Sequence, residues 1–370
     1  MFKTYEKYII KNFTTKFITI SFVFLSLIII LSILDEISFF KNLDINFLFP
    51  YFLTILGSPI TLFEIFPFIF LLSTQFLFYD LFRTEELNLL KKNGLDNLKI
   101  IKVLFFLSIF IGIFNILIFY NISSILKFQY SNIKNNLSKD NKYLAMVTDS
   151  GLWIKDEIND KKFIIKSSYI KGNFLSETVI NEFNNDFQLI RTIQSKKIDI
   201  SKNNWVIFEP KITNKNVSNE SKDYIILSTN FNVEKINNLF SNISTLDLIK
   251  LFNLKKDFDN LGYSSDEIEI HLLKLFTMPL FYGILTILSS IIMFNFSKDK
   301  SLLIHIIFGI LMSVIIYYIT FIFSSLGNNG KIPIYLSIFF PLIIISLITI
   351  IGLVNINEKK INSFNNYFFC

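Results

Sequence analysis

The chain has 370 residues, of which 52% are apolar and 18% charged, and its mean hydropathy is +0.49. These values exclude an ordinary soluble protein and indicate a membrane protein. The single cysteine, Cys370, excludes a disulfide framework, and two histidines, His271 and His305, disfavour a histidine-rich metal centre or a haem chain. We therefore expect no metal ion and no cofactor. The formal charge of +6 is informative mainly through its placement.

Six stretches have the length and composition of transmembrane helices, which need about 20 predominantly apolar residues. In chain order they are 17–34, 59–78, 103–120, 275–294, 302–323 and 333–354. A polar segment rich in Asn, Lys, Asp and Ser, roughly 121–269, separates the third from the fourth. The sequence thus predicts three passes, one inserted domain and three passes, divided at 1–121, 122–270 and 271–370.

Lysine and arginine in the short connections predict the orientation, since cytoplasmic loops carry an excess of both. These residues cluster before the first pass, between the second and third, between the fourth and fifth, and after the sixth. The opposite short loops contain Lys41 and Lys331. We therefore expect both termini in the cytoplasm and the large domain on the other side of the membrane.

The inserted domain has short runs rich in Ile, Val, Phe, Tyr and Trp, separated by Asn, Asp, Gly or Ser clusters, a pattern that predicts β-strands. The expected strands are 143–148, 152–155, 162–166, 174–183, 187–194, 196–200, 205–213 and 223–228. Close spacing without intervening helices favours an antiparallel sandwich, a barrel or a jelly roll. Beyond the strands, Thr245 is the expected N-cap of an amphipathic helix that ends near Gly262.

The interior of this β-domain admits two interpretations. It is an ordinary packed core, or an apolar channel that receives an acyl chain. The residues expected in the interior are Trp153, Ile165, Ile193 and Trp205.

Signatures of catalysis are weak along the chain. The glycine-rich string 327–331 ends in Lys331 but lacks the spacer and the hydroxyl residue of a P-loop. His271 and His305 lie beside or within apolar helices, with no evident nucleophile or acid as a partner. We therefore expect no catalytic residue and no nucleotide hydrolysis in this chain.

The connection between the second and third passes predicts a short helix near residues 84–93. Thr84 is the expected N-cap, and Glu85 and Glu86 place negative charge in the first turn, where the helix dipole favours it. Two lysines place positive charge in the last turn, and Asn93-Gly94 is typical of a helix stop. The segment therefore has the start and stop signals of a complete short helix.

Two interpretations of this short helix stay open. It is a solvated connector whose charges match its dipole, or it is a coupling helix that fits a groove on an ATP-hydrolysing partner. A transport subunit without its own ATPase needs such a projection. In the second interpretation Glu86 supplies a charged contact, and Leu87, Leu89 and Leu90 supply packing.

Short stretches spread over the chain carry a resemblance to a known family. They are Tyr8-Ile9, Asn12-Phe13, Leu34-Asp35-Glu36-Ile37, the spacing Pro67…Glu86…Gly94, residues 150–156, Asn204-Trp205, Lys274-Leu275 and Pro279-Leu280. With the order of passes and β-domain, they resemble the LptF/LptG family of lipopolysaccharide-export permeases over essentially the whole chain. Residues 151–156 and 261–264 are more similar to the LptG branch than to the LptF branch.

The resemblance implies an α-helical integral membrane protein with six transmembrane helices and an inserted antiparallel β-domain, similar to a jelly roll, in the periplasm. It implies a permease subunit of an ABC transporter in the bacterial inner membrane, with an LptF-like permease partner, an LptB-like ATPase dimer and an LptC-like single-pass protein. The implied substrate is lipopolysaccharide, which passes to a periplasmic bridge, and no nucleic acid is expected. By matching position, Glu86 is the implied coupling carboxylate, and the candidate coupling residues are Glu85, Glu86, Leu87, Leu90 and Gly94.

The site for the lipid headgroup departs from the family pattern. Family members often carry basic residues at the outer end of the first helix, where this chain has Asp35 and Glu36. Lys41, Lys127 and Lys134 are the candidate headgroup contacts, and interfacial anchoring is the alternative role of these lysines. The alternative function of the whole chain is a membrane-anchored scaffold whose β-domain binds a partner protein.

Overall fold

The computed structural model describes residues 3–41, 46–137, 152–158, 161–214, 218–221, 223–233, 235–236, 242–261, 264–295 and 302–368. The chain divides into two compact units. One unit comprises Met1–Ser123 together with Asp266–Cys370, and the other is Ser124–Ser265.

Long helices dominate the described chain. They are α1 (Thr4–Phe40), α2 (Phe49–Arg83), α3 (Glu86–Lys92), α4 (Asn97–Phe114), α5 (Asn121–Leu137), α6 (Leu248–Leu261), α7 (Asp266–Asn295), α8 (Leu302–Asn328) and α9 (Ile334–Phe368). A π-helical segment, Asn115–Tyr120, joins α4 to α5 without a break. Among the described residues, six helical spans are long and apolar enough to cross a membrane, and they contain the six predicted stretches apart from residues 302–306 and Pro333, which precede the fifth and the sixth span.

Helices α2 and α7 form the centre of the helical unit. The most apolar stretch of α7 is 67% buried and that of α2 is 50% buried, against 6% for α1. The Phe70 ring of α2 stacks on the Tyr282 ring of α7 with centroids 4.4 Å apart. Hydroxyl groups add polar contacts, because Ser289 on α7 donates to the carbonyl oxygen of Leu71 at 2.8 Å.

Helix α4 approaches α7 closely through a small residue. A Cβ atom added at Gly112 would lie 2.8 Å from the Pro279 Cα atom, so only glycine allows this separation of the two backbones. One turn before Gly112, the hydroxyl groups of Ser108 and Thr286 are 2.8 Å apart and form a buried hydrogen bond. The α4–α7 contact therefore combines close backbone packing with one interhelical hydrogen bond.

The second unit is built on an antiparallel β-sheet. Its strands are β1 (Leu152–Ile158), β2 (Lys161–Lys171), β3 (Phe174–Phe183), β4 (Leu189–Asp199), β5 (Asn204–Phe208), β6 (Lys211–Asn214), β7 (Ser218–Ser221) and β8 (Tyr224–Ser228). The sheet order is β1-β2-β3-β4-β5-β8, and β6 pairs with both β4 and β7. The predicted fold class is confirmed: six candidate membrane helices, with an antiparallel β-domain inserted between the third and the fourth.

Two predicted divisions between strands in this sheet are wrong. The separate strands expected at 187–194 and 196–200 are the single strand β4, because its pairing with β3 continues through Ser195. The strand expected at 205–213 is divided into β5 and β6, because Glu209 adopts a left-handed φ of +43° and Pro210 has no N–H to donate. Strand β7 was not predicted, and the strand expected at 143–148 lies outside the described residues.

The helix that follows the sheet begins later than predicted. Thr245 belongs to a 3₁₀ turn, Ile243–Thr245, and the carboxylate of Asp247 accepts a hydrogen bond from the Lys250 N–H at 2.8 Å. Asp247 is therefore the residue that caps α6, and the N-cap predicted at Thr245 is wrong. Gly262, the expected end, lies outside the described residues.

Candidate functional site

The short helix between α2 and α4 is the candidate coupling helix, and its N-terminus differs from the prediction. Thr84 is the C-cap of α2, since both its N–H and its hydroxyl donate to the Asp80 carbonyl oxygen at 2.9 Å. Glu85 occupies the N-cap position of α3 with a φ of +58°, which is uncommon for a residue other than glycine. The chain therefore passes from α2 to α3 within two residues, and the N-cap role predicted for Thr84 is wrong.

Helix α3 ends at Asn93-Gly94, as the sequence predicts. The Leu95 N–H donates to the Leu90 carbonyl oxygen at 3.1 Å, and the Gly94 N–H donates to the Lys91 carbonyl oxygen at 3.0 Å. Gly94 has a φ of +80°. These are the bonds and the backbone conformation of a Schellman motif, which fixes the direction in which the chain leaves the helix.

The side chains of α3 divide into an inner and an outer set. Leu87 is 1% exposed, and α3 contacts α2, so Leu87 serves to seat the helix on its own chain. Leu89 is 57% exposed and Glu85 is exposed, whereas Glu86 and Leu90 are half-buried. The outer surface of α3 therefore offers one leucine and acidic and basic side chains.

Three contacts hold α3 and the turn that follows it to other helices of the same unit. The Tyr8 hydroxyl, on α1, donates a hydrogen bond to the Oε2 atom of Glu86. The Lys91 Nζ atom lies 5.6 Å from the centre of the Phe294 ring at the end of α7. On the C-terminal side, the Lys99 ammonium group donates to the Gly94 carbonyl oxygen at 3.3 Å. The candidate coupling helix is thus attached to α1 and α7 as well as to α2, and the turn that follows it is attached to α4.

Sequence reasoning did not find Tyr8 or Phe294 as parts of this site. Tyr8 and Glu86 are 78 residues apart in the chain, and no periodic pattern relates positions at that distance. The available signal was the Tyr8-Ile9 pair, which belongs to the stretches that carry the family resemblance.

The three candidate headgroup lysines lie in different surroundings. Lys41 follows the end of α1 and is exposed. Lys127 and Lys134 lie on α5 and meet at Tyr130: the Lys127 Nζ atom is 4.4 Å from the ring centre, and Lys134 donates to the hydroxyl at 2.8 Å. Lys134 is buried and Lys127 is half-buried, so Lys41 is the most accessible of the three lysines.

Of the four residues assigned to the β-domain interior, three lie in its buried apolar cluster. Ile165, Ile193 and Trp205 are buried in one continuous apolar cluster, and the Trp205 indole N–H donates to the Phe231 carbonyl oxygen at 2.8 Å. Trp153 lies on the opposite face and is 48% exposed, because side chains alternate along β1. Its assignment to the interior is therefore wrong.

Ionisable groups elsewhere have partners that the sequence did not reveal. The His271 Nε2 atom lies 3.0 Å from the Tyr120 hydroxyl, a hydrogen-bond partner that the sequence does not indicate. The side chain of His305 lies outside the described residues. Within the part of the chain that the structure describes, no group of three or more His, Cys, Asp or Glu residues is placed to hold a metal ion.

Comparison with known proteins gives one family match. A family model described as "Lipopolysaccharide export system permease LptF/LptG" matches residues 7–355. The matched region includes Tyr8, α3, the β-sheet and all six candidate membrane spans except their outermost residues. The comparison with curated proteins gave no match.

Proposed function

Because the chain belongs to the LptF/LptG family of lipopolysaccharide export permeases, we propose that it is the LptG-like half of a heterodimeric permease driven by a partner ATPase. As a family member it is a permease component of the lipopolysaccharide export system and a multi-pass membrane protein. The similarity of residues 151–156 and 261–264 to the LptG branch supports the finer assignment.

The proposed assembly contains an LptF-like permease, two copies of an LptB-like ATPase and an LptC-like single-pass protein. It lies in the bacterial inner membrane with both termini in the cytoplasm and the β-domain in the periplasm. The placement of lysine and arginine in the short connections supports this orientation. The transported molecule is lipopolysaccharide, and the β-domain passes it toward a periplasmic bridge.

The observation that carries the coupling role is the construction of α3. The helix is fixed at both ends and seated by Leu87, yet it presents Leu89, Glu85 and part of Glu86 outward. A rigid projection with an apolar contact and a carboxylate suits a groove that has a basic rim. We assign Glu86 as the carboxylate that meets the ATPase, with Glu85, Leu90 and Gly94 as its supporting residues.

The lipid path uses the poorly buried first helix. In this proposal the two permease halves enclose an outward-open cavity, and α1 supplies part of its apolar wall through exposed side chains such as Phe22, Leu31 and Leu34. ATP binding closes the ATPase pair, narrows the cavity and expels the lipid toward the β-domain. Lys41, exposed at the outer end of α1, is the cation that we assign to the headgroup phosphate.

The decisive experiment reverses the charge at the coupling position. Glu86→Lys is expected to abolish copurification of the ATPase or export of lipopolysaccharide, while the protein still folds and inserts. Glu157→Lys, at an exposed position on β1, is the matched control and is expected to retain both properties. Normal export by Glu86→Lys would exclude the coupling role, and a purified complex that contains no ATPase would favour the scaffold function.

A further inference from the structure

The hydrogen bond between Tyr8 and Glu86 joins the beginning of α1 to the candidate coupling helix. Both residues have solvent-accessible side chains, and the Tyr8 hydroxyl contacts Oε2, one of the two carboxylate oxygens. Beside this bond an open cleft of about 720 Å³ separates the start of α1 from the turn after α3, with Lys3, Leu90 and Lys99 among its walls. A specific hydrogen bond therefore connects the start of α1 to α3 at the edge of an open cleft.

Further along α1, the attachment to α2 is extensive. Lys16 forms an ion pair with Asp80, and the Phe17 ring lies 4.9 Å, centre to centre, from the Phe70 ring. Beyond this region the exposed apolar residues of α1 begin, at Ile18 and Phe22. Helix α1 is thus fastened to the α2–α3 corner at one end, and along the rest of its length one side exposes apolar residues such as Leu31 and Leu34.

We propose that Tyr8 is a positioning residue that holds the Glu86 carboxylate for the ATPase and carries movement of α3 directly into α1. A hydroxyl that donates to a carboxylate forms a charge-assisted hydrogen bond, which is stronger than a bond between neutral groups. Because the bond uses Oε2, the Oε1 atom is left to meet a basic group of the partner. When the ATPase displaces α3, the bond draws the first turns of α1 along with it. This inference rests on the proposed coupling role of Glu86.

The test uses the assembled complex with its ATPase in lipid nanodiscs. Tyr8→Phe removes the hydroxyl and keeps the ring, so we expect the complex to assemble and to hydrolyse ATP. Lipid released per ATP is expected to fall roughly tenfold, as for loss of a hydrogen bond to a charged group. Tyr5→Phe makes the same chemical change on the same helix, at a hydroxyl that donates to the neighbouring Glu6, and is expected to retain the normal ratio.

A second measurement separates positioning from a merely structural role. Hydrogen–deuterium exchange is recorded for α3 and for the first two turns of α1, with and without ATP. In the unmodified protein we expect ATP to alter exchange in both segments. In Tyr8→Phe only the response of α1 is expected to disappear. In Glu86→Ala, which also lacks the contact with the ATPase, the responses of both segments are expected to disappear, and the double variant should match Glu86→Ala.

The outcomes distinguish this inference from the proposed function. An unchanged ratio of lipid to ATP in Tyr8→Phe, or an α1 response that persists, overturns the role of Tyr8 even when Glu86→Lys abolishes export. Normal export by Glu86→Lys overturns the coupling function itself. Loss of the α3 response as well in Tyr8→Phe would show that Tyr8 has a structural role only.

Discussion

Glu182 on β3 is a carboxylate with 1% of its side chain exposed, and it joins three strands of the sheet. The Lys161 ammonium group of β2 donates to its Oε1 atom at 2.8 Å, and the Arg191 Nε–H of β4 donates to its Oε2 atom. Burial raises the pKa of Glu182, but the hydrogen bonds and the positive charges of Lys161 and Arg191 outweigh burial, so the pKa lies below its ordinary value. A buried charge is tolerated here because both of its oxygens have cationic partners.

Replacing this carboxylate should loosen the centre of the sheet. Glu182→Gln keeps the shape of the side chain but weakens two charge-assisted hydrogen bonds. We therefore expect the free energy of opening of β2–β4, measured by hydrogen exchange, to fall by about 1–3 kcal/mol. Hydrogen exchange of these strands in the full-length protein measures the loss. Glu177→Gln, an exposed change on the same strand, is expected to leave exchange unaltered. Equal protection in the two variants would contradict a stabilising role for the ion cluster.

The same cluster predicts a dependence of stability on pH. The folded-state pKa of Glu182 is lower than the unfolded-state pKa, so its contribution is present above the ordinary value of 4.5 and is lost as the pH falls through the lower folded value. Exchange protection of β2–β4 should therefore decrease in this acidic range. Glu182→Gln, which carries no proton-binding carboxylate at this position, should show a smaller decrease. An identical pH profile for both proteins would exclude Glu182 as the titrating group.

At the scale of secondary-structure elements, helix packing depends on small residues at defined points. Gly112 lets α4 approach the Pro279 backbone, and the hydrogen bond between Ser108 and Thr286 lies one turn away. Between apolar helices in lipid, close packing and interhelical hydrogen bonds replace the hydrophobic effect as sources of stability. The contact between α4 and α7 therefore stabilises the helical unit of the permease.

Gly112→Ala tests this contact. The added methyl group would lie 2.8 Å from a backbone atom, which cannot move aside as a flexible side chain can, so we expect a loss of roughly 1–3 kcal/mol from overpacking. The measurement is the thermal stability of the detergent-solubilised protein. Ile113→Ala, at the neighbouring exposed position, is the control and should change the melting temperature little. An unaltered melting temperature in Gly112→Ala would show that the helices are farther apart.

Elements were predictable from the sequence where one local signal determines them. Apolar runs located the membrane helices, and alternation of side chains gave β3 its exact limits, Phe174–Phe183. Helix ends were less predictable, since polar residues such as Thr4 and Tyr8 continue α1 beyond its apolar run. The break between β5 and β6 at Glu209-Pro210 was predictable locally, because proline lacks the N–H that a strand residue donates. The contact of Tyr8 with Glu86 had none, because tertiary packing alone brings the two residues together.

At the scale of the whole molecule, the placement of lysine and arginine is consistent with a multi-pass membrane permease of the family to which the chain belongs. The connections rich in lysine and arginine alternate with poorer ones along the six candidate spans, as expected for a chain that crosses the membrane six times. Both candidate coupling elements, the start of α1 and α3, fall among the cation-rich segments. The proposed cytoplasmic position of the ATPase is therefore consistent with the proposed roles of Tyr8 and Glu86.

Reporter fusions test this orientation. A reporter that is active only outside the cytoplasm should be active when fused after Tyr224, in the β-domain, and inactive when fused after Lys92 or at the C-terminus. The expectation follows from the excess of cations on the sides proposed to be cytoplasmic. A cytoplasmic signal from the fusion after Tyr224 would overturn the topology, and with it the proposed contact between α3 and the ATPase.

The π-helical segment Asn115–Tyr120 has a consequence for how this chain tolerates change. A π-helical turn accommodates one residue more than an α-helical turn, and each residue advances an α-helix by about 100°. The segment therefore sets the angular phase at which Tyr120 presents its hydroxyl to His271. The extra residue is taken up within the wide turn, so α4 and α5 keep the phase of a continuous helix on either side of it. A one-residue deletion that converts this segment to α-helix is therefore expected to be tolerated better than the same deletion inside α4.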